Sequence, residues 1–172
     1  MAFYLIIRGP LGAGKTTVSA GVAKAVAGRH IFIDELLEKY DLEEWEEGYI
    51  SERSFLRANE IAAGEAEFLL RRGTPVVFDG NFYHRRVLKD LEARLPFPHA
   101  VFTLRAPLSL CIARDCARTP TYGAEAAREV FEKTTSFDYG TVVDATGSVA
   151  EVVRTVLDHI RGRGLSESPT AA

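Results

Sequence analysis

Gly9-Pro-Leu-Gly-Ala-Gly-Lys15-Thr16, a glycine, four free positions and then Gly-Lys-Thr, stands directly after an apolar run and directly before a helical pattern. No other stretch of the chain constrains the fold as much. Upstream, Phe3-Tyr-Leu-Ile-Ile7 is the short continuous apolar run of a buried parallel strand; downstream, Val18, Val22 and Val26 recur at helical spacing and predict a helix over 16–26. Glycines at 9, 12 and 14 admit backbone conformations closed to other residues, so successive N–H groups can converge on one anion at the positive end of the following helix. Phosphate oxygens are the natural occupant. The pattern makes Gly9, Leu11, Gly12, Ala13, Gly14, Lys15, Thr16 and Thr17 the candidate nucleotide-binding residues. Lys15 is expected to reach the β- and γ-phosphates, the Thr16 hydroxyl to hold Mg²⁺, and Thr17 to touch the α-phosphate.

Apolar runs alternate with helical patterns along the rest of the chain, which predicts an α/β fold with helices around a parallel sheet. The expected strands are 3–7, 30–33, 75–78, 100–104 and 141–143, and the expected helices 16–26, 35–40, 51–71, 85–93, 107–116, 124–134 and 148–160. At 172 residues this is one domain, read as 1–161, with a flexible lid near 114–124 where Arg118-Thr-Pro-Thr-Tyr-Gly123 breaks the helical pattern. The Gly-, Ser- and Pro-containing stretch 162–172 reads as a disordered tail.

Composition narrows the class. With 47% hydrophobic and 26% charged residues the chain reads as an ordinary soluble protein. No apolar stretch reaches the roughly 18 residues of a membrane span, and Met-Ala-Phe-Tyr-Leu lacks the basic region of a signal peptide, so a cytoplasmic location without membrane attachment is expected. Cys111 and Cys116 form neither a zinc set nor a disulfide framework and read as reduced packing residues. A net charge of -3 speaks against a protein whose main task is coating nucleic acid. From Asp34 to Arg53, nine acids face only Lys39 and Arg53, a local balance of -7. That is a solvated surface or, beside an acceptor site, a repellent for a polyanion. Trp45, within it, is expected to pack against the sheet edge.

In open α/β sheets ligands sit outside the carboxyl ends of the strands, so the polar residues that close each apolar run matter most. Asp79, ending Val76-Val-Phe-Asp79, is the Mg²⁺ candidate, with turn capping alongside Asn81 as the alternative. Asp34, ending Ile31-Phe-Ile-Asp34, is the candidate base that orients an acceptor hydroxyl, with a helix N-cap as the alternative. Arg114 and Arg118, four apart at the end of a predicted helix, are the candidate arginines that close over the phosphates. Asn81 and Arg85 are candidate acceptor contacts, although His84-Arg85-Arg86 equally fits the start of a helix. The chain has no Asn-Lys-x-Asp string of common GTPases and no Gly-x-Ser-x-Gly element of hydrolases.

Together these residues resemble the small kinases of the phosphate-loop (P-loop NTPase) superfamily, among them adenylate, shikimate and gluconate kinases, chloramphenicol phosphotransferase and the kinase domain of phage polynucleotide kinase. The resemblance runs from Phe3 to about Ile160. It is closest to the polynucleotide-kinase and chloramphenicol-phosphotransferase branch, through Gly9 to Thr17, Asp34, Asp79-Gly-Asn-Phe-Tyr-His-Arg-Arg86 and Arg114-Asp-Cys-Ala-Arg118. It implies a three-layer fold with a five-stranded parallel sheet in the order 2-3-1-4-5, ATP and Mg²⁺ as cofactors, Asp34 as acceptor base and Arg118 on the phosphates. The implied activity is transfer of the γ-phosphate of ATP to a hydroxyl of a small molecule or nucleoside. A polynucleotide 5'-hydroxyl acceptor is the alternative within the kinases, and a nucleotide-operated switch or sensor the alternative outside them. The phage enzyme has an acceptor-gripping arginine three residues after its base; here Leu37 stands there, and with the acidic run it disfavours nucleic acid as acceptor.

Overall fold

The computed structural model describes residues 2–165. Strand β1 (Tyr4–Arg8) is buried along its whole length and forms the centre of the molecule. It pairs in parallel with β5 (Val76–Gly80) on one side and β6 (His99–Arg105) on the other. β2 (Arg29–Phe32) extends the sheet beside β5, and β7 (Thr141–Asp144) beside β6. The sheet order is therefore β2-β5-β1-β6-β7. Numbering only these five strands along the chain gives 2-3-1-4-5, as the resemblance implies.

Alternation along the strands sends consecutive side chains to opposite faces, and both faces are covered. Tyr4, Ile6 and Phe78 face one way, against Phe55, Ala58 and Ala62 of α3 (Glu52–Arg71) and Leu88 and Leu91 of α4 (Arg85–Arg94). Leu5, Ile7, Val77 and Phe102 face the other way, against Val18 and Val22 of α1 (Lys15–Ala25) and Val152, Val156 and Ile160 of α7 (Val149–Gly162). Two helix starts are fixed by side-chain caps. Ser51 accepts from the Ser54 amide at the head of α3, and Ser148 and Glu151 form a reciprocal capping box at the head of α7. At one edge α2 (Ile33–Lys39) packs on α3, and elsewhere α5 (Leu108–Cys116) and α6 (Ala124–Thr135) pack together around the break at 117–123.

Four expectations need correction. A small antiparallel hairpin, β3 (Trp45–Glu46) with β4 (Tyr49–Ile50), occupies the acidic stretch, closed by Glu47 and Gly48 with φ of 52° and 82°. Positive φ at both turn residues is the backbone of a tight two-residue hairpin, which an Asn-Gly or Asp-Gly pair signals far more clearly than Glu-Gly. The hairpin carries Trp45 outward, 64% exposed, rather than against the sheet edge. Cys111 is buried but Cys116 is exposed, so only the first is a packing residue. The expected tail from 162 starts too early: α7 includes Gly162, and Leu165 packs on the second core, while 166–172 lie outside the described residues. Among the described residues no helix is long and apolar enough to cross a membrane.

Candidate active site

The loop from Gly9 to Gly14 leaves the carboxyl end of β1 and turns directly into α1, whose first residue is Lys15. Gly12 (φ +75°) lies so close to α5 that a Cβ there would sit 2.0 Å from the Cys111 carbonyl oxygen, and Gly14 (φ +89°) supplies the left-handed turn that starts the helix. Only glycine meets both demands. The result is a run of amides at a helix N-terminus, beside a cavity of about 590 Å³ lined by Leu11, Gly12, Ala13, Gly14, Lys15, Thr16 and Thr17. Lys15 is buried, its Nζ donates to Pro10 O at 2.9 Å, and burial holds its pKa below the usual lysine range.

Across that cavity stands Asp34. β2 runs into α2 without a loop, Phe32 serving as the N-cap, so Asp34 lies inside the first turn of α2 rather than at its cap. Its Oδ2 accepts from Asn81 Nδ2 at 3.3 Å, and its Oδ1 is buried without a partner. Burial pushes its pKa up to about 7, with Lys15 opposing the rise and Asp79 and Glu43 adding to it. Asp79 ends no turn; it lies within β5, fully buried, with Oδ2 at 3.1 Å from His30 Nε2 and Oδ1 unpartnered. Asp34 and Asp79 oppose the lowering of the Lys15 pKa, and Lys15 and Asp79 act in opposite senses on Asp34.

The far wall is built by α5 and the loop after β7. Arg114 and Arg118 both line the cavity, but they are held differently. Arg114 donates to the carbonyls of Ala145, Thr146 and Gly147 at 2.8 to 3.4 Å, and so braces the loop before α7. Arg118 is 48% exposed, 3.9 Å from an Asp115 oxygen and stacked on Tyr122 at 4.9 Å. Buried Asp115 accepts from Thr121 Oγ1, the Tyr122 amide and the Gly123 amide, which folds the segment expected to be a lid into a compact turn. Arg85 departs from its expected acceptor role. Its guanidinium donates to Asp138 O and lies over Phe137 and Tyr139, away from the cavity. Sequence reading missed the cavity residues Phe32, Tyr122, Ser148 and Val149, the His30 contact to Asp79, and the wholly buried Arg8 at the end of β1.

Buried carboxyl oxygens without partners, set opposite a lysine and a threonine at a phosphate-type loop, suit a divalent cation that is otherwise held by nucleotide and water. Among the described residues no group of three or more metal-ligating side chains converges, so the protein alone offers no complete cage.

A phosphate-type loop at the central strand and a 2-3-1-4-5 parallel sheet flanked by helices define a small phosphate-loop kinase fold. The chain belongs to the AAA-domain family, whose model matches residues 5–138. No curated protein sequence matches it. Among solved structures it is similar to a gluconokinase from Sinorhizobium meliloti (21% identity, 93% of this chain and 92% of that chain, TM-score 0.69). It is also similar to a sugar kinase from Janibacter (14% identity, 98% and 100%, TM-score 0.78). A third similar structure is the Mycobacterium tuberculosis APS kinase, in complex with AMPPNP and APS (17% identity, 93% and 98%, TM-score 0.69). At these identities the likeness is one of fold.

Proposed function

We propose that the protein transfers the γ-phosphoryl group of ATP to a hydroxyl of a small neutral or cationic acceptor. The observation that carries this reading is Asp34: a half-buried carboxylate whose Oδ1 is buried without a partner, facing the same cavity as the phosphate loop. A binding module has no use for such a group, whereas a hydroxyl nucleophile needs it. In the proposed reaction the acceptor oxygen bonds to the γ-phosphorus while the bond to the bridging oxygen of ADP breaks, and the hydroxyl proton passes to Asp34. Lys15 and Arg118 meet the charge on the transferred group, and Asn81 holds Asp34 in place. Thr16 and Asp79 would hold Mg²⁺, which neutralises charge on the phosphates when bound. Fold similarity to a gluconokinase, a sugar kinase and an APS kinase supports phosphotransfer to a small molecule.

Charge supports the acceptor class. Arg53 and Arg57 are spent on Glu44, and Arg86 on Glu52, whereas Glu43, Glu46 and Glu47 have no ion-pair partner among the described residues. Leu37 is buried and offers nothing to a phosphate. A screen of ADP release tests the reading, with amino alcohols, amino sugars, neutral sugars, nucleosides and a 5'-hydroxyl oligonucleotide offered separately. Release that depends on a small hydroxyl compound is expected. Release with the oligonucleotide alone, or equal release with no acceptor, overturns it.

A further inference from the structure

Arg8 ends β1, one residue before the phosphate loop, and is wholly buried. Its guanidinium makes no ion pair among the described residues. Nε donates to Phe82 O at 3.3 Å, Nη1 to Thr103 Oγ1 and Phe137 O at 3.2 Å each, and Nη2 to Thr134 O at 2.6 Å. The Phe137 ring lies 4.3 Å from its Cζ. Burial, Arg105 and Arg85 push its pKa down to about 10, Asp138 opposing, so the group stays charged at neutral pH.

A cation buried among carbonyls is a poor way merely to fill space, because an apolar side chain of similar volume avoids the desolvation cost. What the guanidinium adds is a rigid fork with several fixed directions. Those directions lead to three working parts of the molecule. Thr134 and Phe137 carry carbonyls at and just past the C-terminal end of α6, where a cation is favourable and the helix leaves acceptors unsatisfied. Phe82 follows Asn81, which is bonded to Asp34. The Arg8 backbone itself runs into the phosphate loop. At its opposite end, about 18 Å away by helical rise, α6 begins directly after the lid turn that carries Arg118 and Tyr122.

We propose that Arg8 is a positioning residue, the fulcrum on which α6 swings the Arg118–Tyr122 turn over the nucleotide in register with Asp34. The proposal rests on the kinase reading above. Displacing a reacting group by about 1 Å costs on the order of 10²-fold in rate, so a loosened fulcrum slows transfer without removing any group that touches ATP.

The test uses the full chain carrying Tyr122→Trp and Trp45→Phe, so that the one tryptophan reports on the lid. Arg8→Met and Arg8→Lys are compared with this parent by ATP titration, thermal unfolding and ADP release with an active acceptor. Arg8→Met is expected to stay folded and bind ATP within about threefold of the parent, to lose most of the ATP-induced emission change, and to drop about 10²-fold in kcat. Arg8→Lys, which keeps the charge but not the fork, should recover only part of both signals. An Arg8→Met protein with the parent's emission change and kcat overturns the proposal. So does failure of both variants to fold, which would make Arg8 a packing residue. A parent that releases ADP but shows no emission change with ATP removes the fulcrum and leaves the kinase reading standing; a parent that never releases ADP removes the kinase reading itself.

Discussion

Asp34 sits where negative charge is costly, and its pKa rises from 3.8 to about 7 through burial first, with Asp79 and Glu43 adding and Lys15 opposing. The native state therefore holds this proton more tightly than the unfolded chain does. Its contribution to stability is present in full below the unfolded value of 3.8 and is lost as pH rises to about 7. Nucleotide-free protein should accordingly lose stability from this group between those limits. Asp34→Asn has no proton to lose, so its Tm should gain on that of the native protein as pH rises and exceed it at pH 8; parallel Tm curves would show that the carboxyl is not shifted. Catalysis runs the opposite way, because the base must be ionised, and kcat/KM should climb over the same range. Lys15 calls for a different test. It is a buried cation fixed by Pro10 O, so Lys15→Ala removes charge aimed at the transferred group and should lower transfer by about 10²- to 10³-fold. Single-turnover measurement with saturating ATP checks this, and unchanged turnover would dismiss the site.

At the level of elements, residues 117–123 form a turn folded around one carboxylate rather than a floppy insertion. Asp115 accepts from one hydroxyl and two amides between residues 121 and 123, and of these donors only the Gly123 amide has another acceptor inside the turn, Thr121 Oγ1 at 3.1 Å. Asp115→Leu strands the Thr121 hydroxyl and the Tyr122 amide and should open 117–123 to proteolysis at least tenfold faster than in the native protein, on the usual scale of a few kcal/mol for lost charge-assisted bonds. Cleavage timed by mass spectrometry checks this, and Mg-ATP should slow it in the native protein. The same comparison of elements explains what sequence could reveal. Strand and helix periodicity placed every core element to within a residue or two, because both sheet faces are apolar and the pattern has no competitor. Asp34 and Asp79 stand out in the sequence because each closes an apolar run at the carboxyl end of a strand, and the structure places both near enough to Lys15 to act on its pKa. Arg8 does not, since its partners lie 74 to 129 residues away and spacing carries no such contact. Arg85 was misplaced for the same reason: a helix-start cation can be read from sequence, but not that Phe137 and Tyr139 draw it aside.

For the molecule as a whole, the cavity at the phosphate-type loop is lined by both signs of charge, Lys15, Arg114 and Arg118 with the α1 N-terminus on one wall and Asp34 on the other, with Glu43 near enough to raise the Asp34 pKa. The hairpin beyond adds Glu46 and Glu47. A second cavity of about 510 Å³ lies between the hairpin, His84 and α6. Its lysine, Lys133, rests 4.1 Å above the Tyr49 ring, and burial with Lys133 lowers the His84 pKa, so two carboxylates, Glu46 and Glu47, face one ammonium in the lining. A cationic acceptor would be concentrated by this field and a phosphorylated one turned away. Replacing Glu43, Glu46 and Glu47 together by Gln should raise KM for an amino-alcohol or amino-sugar acceptor by about tenfold, at roughly half a kcal/mol per exposed charge, with kcat within about twofold. A neutral acceptor should respond little. Added salt should weaken the native protein's cationic acceptor in the same sense, because these carboxylates are exposed and screened within a Debye length of roughly 8 Å at physiological ionic strength. Glu43 has one further consequence, since it helps to raise the Asp34 pKa: the acid limb of kcat/KM should move to lower pH in the triple variant. A KM that rises equally for neutral and cationic acceptors would show that the hairpin shapes the site by contact instead of charge.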